Sequence, residues 1–549
     1  MKKTKLLILF ISLFPSLFSQ ILVSDIDSGI NNSRPSIIGK LNNGIFFFAS
    51  HKDYGNEPWF SDGTKAGTIL LKDIRSGASS SSFASQYVRI GDYYYFIANH
   101  SSGFAISLWR TNGTVSGTEM VKDLGVAKIP QGGGTILPLP MIVFKDKLYF
   151  IHEDYRGKEL WVSDGTSSGT DVLLDIVSGP VGSSPSGLIV YKDHLYFFAD
   201  NGSVGSELWR TDGSSGGTKL FKDIYSGAIS SNTSTYPSLF VFKDMLFFGA
   251  QGTHDEGVEL YRCDGTPNGT ALFKDINTPI QASSYPAFIA ATDNYFIFRA
   301  NTSTDGAEPW VSDGTLSGTK LLKDITSGTG STYPSQPAVI NNKILFSVYN
   351  ANTGSELWVT DGTDVNTKML NEINPGTASG FGGQFTQLGS KLYFIGTDMD
   401  HGKELWETDG TDNGTKLSLD INPGALGSEI SSLIEFEGDL YFNANIASTL
   451  FGNELYKFKP QSSSIGNSNK ILNLSIFPNP CKTGEVIHVS GINESVDKVQ
   501  VFSPLGINVC EIQNQNGLLE LPDNLSCGLY FLKFNLEHYS YTAKLIIEP

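Results

Sequence analysis

Short runs rich in β-branched and aromatic residues, bounded by Gly, Asn, Asp and Ser, recur through most of the chain, and no window sustains the spacing of an amphipathic helix. GIFFFAS from Gly44, YYYFIAN from Tyr93, KLYFIHE from Lys147 and HLYFFAD from His194 read as strands, as do MLFFGAQ from Met245, NYFIFRA from Asn294, KILFSVY from Lys343, KLYFIGT from Lys391 and DLYFNAN from Asp439. Each is followed by an aromatic slot, filled by Trp59, Trp109, Trp161, Trp209, Tyr261, Trp310, Trp358, Trp406 and Tyr456 at intervals of 48 to 52 residues. A DGT-type turn and a run ending near Asp-Ile, such as TILLKDI to Ile74, complete eight of these units. Four short strands repeated at this period predict an all-β fold, a β-propeller of about nine four-stranded blades. The lone run ILVSDI to Ile26 and the shortened last unit, ending ELYKFKP, predict that the first strand closes the last blade.

The repeated polar residues read first as structure. Asp62, Asn112, Asp164, Asp212, Asp264, Asp313, Asp361 and Asp409 occupy one turn position, where Asn and Asp tolerate left-handed backbone and bond nearby amides. A calcium loop is the competing reading, but DGT lacks alternating carboxylates. A Glu opens every aromatic slot except at Ser107, and is expected to bond backbone or hydroxyl groups inside its own blade. The aromatic slots themselves are expected to pack between blades rather than to stack on sugars.

Candidate chemistry gathers in the loops between second and third strands, which vary most. His51, His100, His152, His254 and His401 lie on or beside them, with Asp53, Glu153, Asp154, Asp255, Glu256, Asp305, Asp398 and Asp400 as acidic companions. His51, Asp53, His152, Asp154, His254, Asp255, Asp398 and His401 define the expected ligand face. No cofactor is expected. Histidine and carboxylate side chains can bind metals and carboxylate-rich loops can hold calcium, although no loop has fixed ligand spacing, and the metal content is left open.

Residues 1–19 carry Lys2, Lys3 and Lys5 before the apolar run LLILFISLF, which reads as a secretory leader because it is too short to span a bilayer. The repeats then occupy 20–460. QSSSIGNSNK opens a linker over 461–471, and residues 472–549 form a second all-β pattern suited to a small Ig-like β-sandwich. Net charge is −17, and −20 without the leader lysines, which disfavours nucleic acid as a partner. Of four cysteines, Cys510 and Cys527 could pair after export.

The tail resembles the type A C-terminal sorting domain of proteins exported by the type IX secretion system of Bacteroidetes. The resemblance rests on Pro478, Asn479 and Pro480 of FPNP, the VFSPLG turn through Gly506, Gly528, Leu529 and Tyr530 of GLYFLKF, and Lys544 in the terminal AKLIIEP. It implies Sec export, then passage across the outer membrane by the type IX machinery, and release or attachment at the cell surface. The repeats, ELWVSDGTSSGT at Glu159 being typical, are similar to the ELWxxDGT family of secreted proteins.

No phosphate-cradling glycine loop, HExxH or nucleophile elbow is present. The leading expectation is a secreted or surface-displayed, non-catalytic binding or adhesion propeller that recognises a glycan or a surface protein. A carbohydrate-active hydrolase or lyase using loop carboxylates is the second reading, and a structural part of a surface assembly the third.

Overall fold

The computed structural model describes residues 20–78, 82–101, 105–126, 141–232, 238–446, 451–460, 475–490, 498–503, 508–515, 518–535 and 540–548. The expected leader (1–19), the expected linker (461–471) and Gly506 lie outside the described residues. The chain divides into two compact units, Ser19–Pro460 and one that begins at Gln461. Every regular element among the described residues is a β-strand.

The first unit contains nine four-stranded antiparallel sheets. Eight are continuous in sequence and are numbered here as repeats: 1 (Ser36–Leu70), 2 (Ser82–Val126), 3 (Met141–Val172), 4 (Ser186–Lys222), 5 (Leu239–Lys274), 6 (Ala287–Leu321), 7 (Ser335–Met369) and 8 (Phe381–Leu419). Repeat 9 takes three strands from Ser431–Phe458 and its fourth from Ile21–Ser24, where Ile21 lies opposite Lys457 and Leu22 opposite Tyr456.

The second strands are almost continuously apolar because both of their faces are covered. In Gly44–His51, Phe46 and Phe48 join a cluster with Phe96 and Trp109 of repeat 2, while Ile45, Phe47 and Ala49 join one with Phe436, Tyr441 and Leu455 of repeat 9. The aromatic slot follows a single rule. Trp109, Trp161, Trp209, Tyr261, Trp310, Trp358 and Trp406 each pack on the preceding sheet, and Trp59 packs on repeat 9. Truncating one such side chain to alanine is worth about 3–5 kcal/mol.

Polar latches reinforce these contacts. Lys145, Lys192 and Lys243, in the first hairpin turns of repeats 3, 4 and 5, donate to the carbonyls of Asp212 (3.0 Å), Asp264 (2.6 Å) and Asp313 (3.3 Å) in the next repeat's DGT turn. Lys457 donates to Gly63 O at 3.1 Å, carrying the same contact from repeat 9 to repeat 1, and Lys40 pairs with Glu435 across that junction. The succession of sheets thus closes on itself.

The DGT turns are Asx turns. In all eight, one side-chain oxygen of the Asp, or of Asn112, accepts from the backbone N–H two residues on, at 2.8–3.1 Å. At Asp62, Asp164, Asp264 and Asp313 the hydroxyl of the following Thr binds the same carboxylate and holds its pKa below the usual value.

In the C-terminal unit seven strands pair in the order Ser475–Phe477, Val486–Ser490, Leu518–Glu520, Asn508–Gln515, Lys498–Phe502, Gly528–Asn535, Ser540–Ile547. Ile487, Val499, Val501, Leu519, Leu532, Phe534 and Leu545 form one buried core, so this ladder wraps around a single interior. Cys510 and Cys527 are both free thiols, Cys527 being exposed.

Candidate functional site

Each blade-opening glutamate is buried at the exit of its fourth strand. Glu404 accepts from Ile421 N (2.9 Å), Asn422 N (3.1 Å) and Ser428 Oγ (2.9 Å), tying that exit to the segment leading into repeat 9. Glu207, Glu259, Glu356 and Glu454 make the equivalent bonds to the backbone amides of Ile224, Ile276, Ile373 and Ile26. Burial pushes the carboxyl of Glu207, Glu356 and Glu454 up to about 7 and that of Glu404 to about 8.

The candidate ligand residues sit at this same end of the sheets, on the loops joining second to third strands in repeats 1, 3, 5 and 8, no two of which are neighbours. Each histidine is engaged within or beside its own loop. Asp53 N donates to His51 Nδ1 (3.1 Å), and the His51 ring stacks on Tyr54 with centroids 4.8 Å apart. His254 Nε2 lies 2.6 Å from Gln281 Nε2, beside exposed Asp255, whose carbonyl accepts from Gln281 N (2.9 Å). His401 Nδ1 lies 2.8 Å from Asp398, and although burial opposes it, this carboxylate raises the pKa of His401. His152 departs from the expectation of an exposed loop histidine. It is 2 % exposed, its Nε2 hydrogen-bonds Leu124 O (2.9 Å), its ring meets Trp161 edge-on, and burial lowers its pKa. In register it lies opposite Glu159, at a position where repeats 1, 2, 4, 5, 6 and 9 carry Ala and repeat 8 carries Gly.

The junction between repeats 2 and 3 departs from the pattern on both sides. The fourth strand of repeat 2 runs eight residues, Glu119–Val126, against two to four elsewhere. Ser107 replaces the glutamate; its fully buried Oγ lies 2.6 Å from His100 Nδ1, and His100 Nε2 lies 3.9 Å from Asp123 Oδ2. A cleft of about 610 Å³ opens here, lined by Asp123, Leu124, Gly125, Val126, Glu153, Asp154, Tyr155 and Trp161. One wall is a preformed stack. The Arg156 guanidinium lies 5.1 Å from the ring centroids of both Tyr155 and Trp161, and is fixed by Asp154 (2.7 Å) and Asp171 (2.8 Å). Tyr155 is 79 % exposed and forms the ledge at the mouth.

The structure therefore places Asp154 and Glu153 at a cleft and does not unite the four candidate loops. Among the described residues no three His, Cys, Asp or Glu side chains come together as a metal centre. Tyr155, Arg156 and Asp123 were missed by sequence reasoning. Their signal was the break at Ser107 followed by a bulky His152 where a small residue is usual.

In the tail, FPNP forms a bend after Ser475–Phe477, and Asn479 Oδ1 accepts from Ile546 N at 2.9 Å. Cys481 bridges Ile547 in parallel, so the segment after Pro480 is tied to the terminal strand. Leu529 pairs with Ile546, Tyr530 with Leu545 and Phe531 with Lys544, while Gly528 faces Ile547. Tyr530 is buried, its hydroxyl donating to Ser526 O (3.0 Å).

Residues 475–548 match the family described as secretion system C-terminal sorting domain. The chain is thus marked for export, to the cell surface or beyond it, through the type IX secretion machinery. No helix among the described residues is long and apolar enough to cross a membrane. No curated protein matches the chain. Similar solved structures include a prolyl endopeptidase (10 % identity, 68 % of this chain, 54 % of that one, TM-score 0.39) and a puromycin hydrolase (14 %, 68 %, 59 %, 0.35). The β-propeller domain of the Trilobed protease from Pyrococcus furiosus is also similar (11 %, 61 %, 97 %, 0.33). The chain spans little more than half the length of the endopeptidase and the hydrolase, and at these scores the likeness carries no argument about activity.

Proposed function

We propose that this exported chain is a non-catalytic binding protein, a nine-bladed propeller of the ELWxxDGT type from a Bacteroidetes-like secretor, which holds a glycan in the cleft between repeats 2 and 3. The observation that carries the reading is the cleft itself, opened where both neighbouring repeats depart from the pattern. An exposed Tyr155 ring held by Arg156 offers a flat apolar surface to the C–H face of a sugar, and Asp123, Glu153 and Asp154 supply acceptors for its hydroxyls. Acyl transfer is disfavoured because the Ser107 hydroxyl beside His100 is fully buried, out of reach of a substrate carbonyl, and of the cleft carboxylates Asp154 is already engaged by Arg156. Sec export followed by type IX passage, with the tail as address, delivers the propeller to its ligand.

The test is binding of the purified chain to a broad glycan array with calcium and then with chelator, repeated for Tyr155→Ala. The expected result is retention of a glycan class and a loss of at least tenfold in Tyr155→Ala. Retention of no glycan, or equal binding by the variant, sinks the reading and favours a protein partner.

A further inference from the structure

The segment entering a first strand holds one side chain out at the inner rim of the ring, where first strands of neighbouring repeats meet, as Phe240 and Phe288 do at 4.3 Å between centroids. In repeat 6 this entry is Ser284-Tyr285-Pro286, of which the first and last are buried and the middle one exposed. Ser284 is fixed to Glu259 through its N–H (2.8 Å) and its hydroxyl (2.6 Å), and Pro286 packs on Gly249 of repeat 5. Between these anchors Tyr285 takes a φ of 45°, a left-handed angle that bulky residues avoid. Arg34, Ser184 and Glu429 share it, at 44–53°, in the same place of other repeats. The backbone is common and the displayed side chain is not, so the fold does not dictate what is displayed.

Repeats 6 and 7 both display tyrosine. Tyr285 is 58 % exposed, and Tyr333, which follows Thr332 bonded to Glu308 (2.7 Å), is 60 % exposed. Tyr-Pro recurs one period earlier in the sequence, at 236–237, outside the described residues. Arg299 adds a charge. It lies on the second strand of repeat 6, in register with Ala287 of the entering strand, and its guanidinium sits 5.1 Å from the Tyr333 ring centroid. The other eight second strands carry Gly, Ser, Asn, Ile or Phe at this register position. Arg110 and Arg156 are tied to carboxylates, whereas among the described residues none pairs with Arg299, in a chain of 56 acidic and 39 basic residues.

We infer that the rim of repeats 6 and 7 is a second binding site, separate from the cleft of repeats 2 and 3, and that it takes an acidic polysaccharide. Tyr285 and Tyr333 offer flat rings to the C–H faces of sugar units, and the fork of Arg299 N–H donors takes a uronate carboxylate. A neutral sugar leaves the guanidinium without an acceptor, and a small carboxylate leaves both rings uncovered.

The test is calorimetric titration of the purified full chain with oligogalacturonate and with oligomannuronate, in chelator so that calcium cannot bridge carboxylates. Binding of at least one is expected, weakened at least tenfold in Arg299→Gln and in Tyr333→Ala, unchanged in Tyr155→Ala, and not competed by neutral maltooligosaccharide. Tyr285→Asn, a residue that accepts left-handed φ, is expected to weaken binding severalfold at parental Tm. Should Arg299→Gln lower Tm, Tyr333→Ala, which removes only an exposed ring, carries the comparison. Binding of neither uronate overturns the inference, as does an affinity that Arg299→Gln and Tyr333→Ala leave unchanged. Loss in Tyr155→Ala alone would place the uronate in the cleft, overturning the second site while sparing the first.

Discussion

At the scale of single residues, the blade-opening glutamates make stability depend on pH in an unusual direction. Their folded-state pKa is raised, to about 7 for Glu207, Glu356 and Glu454 and about 8 for Glu404, so the folded chain holds protons that the unfolded chain releases near 4.5. Their contribution is complete below about pH 4.5 and is lost as pH rises through about 7–8. Tm is expected to fall between pH 5 and pH 8.5, and Glu404→Gln, which cannot ionise, to make that fall shallower; a rising or unchanged profile in differential scanning fluorimetry would refute the assignment. Glu404→Ala strands the amides of Ile421 and Asn422 and should cost about 3 kcal/mol at any pH. These glutamates were legible in the sequence because they recur. His152 was not, because a strand-end residue faces solvent or core according to a register that only pairing with Glu159 reveals.

At the scale of elements, repetition made the second strands, aromatic slots and Asx turns readable, since each must satisfy the same two neighbours eight or nine times. The cleft escaped because it is made by elements from different repeats: Asp123 lies in the fourth strand of repeat 2 and Glu153 at the end of the second strand of repeat 3, thirty residues later. The strand Ile21–Ser24 has the largest leverage of any element. It pairs with Glu454–Phe458, and Val23 and Ile26 enter the core shared by repeats 9 and 1. Deleting residues 20–27 should expose Glu454–Phe458 as an unpaired edge, lower Tm by several degrees and promote self-association visible by size-exclusion chromatography. A monomeric variant of parental Tm would show that the sheets close without this strand.

For the molecule as a whole, the division at Gln461 separates the repeats from the unit that carries the sorting domain. Removing residues 472–549 should leave the repeats inside the cell envelope, and undiminished appearance of the truncated chain at the surface or in the medium would disprove the tail's role as address. The division of labour was legible because sorting marks such as FPNP and GLYFLKF are local strings, whereas ligand recognition is written in surfaces.

The latches between repeats have a further consequence. Lys145, Lys192, Lys243 and Lys457 reach for carbonyl oxygens of the next turn, not for its side chains. At these four joints the contact does not depend on the turn's side chains, whereas Lys323 and Lys368 bond the turn carboxylates of Asp364 and Asp412 in the following repeat. Where a joint is made to backbone alone, the turn's sequence can drift while the joint continues to fit; where it is made to a carboxylate, it cannot.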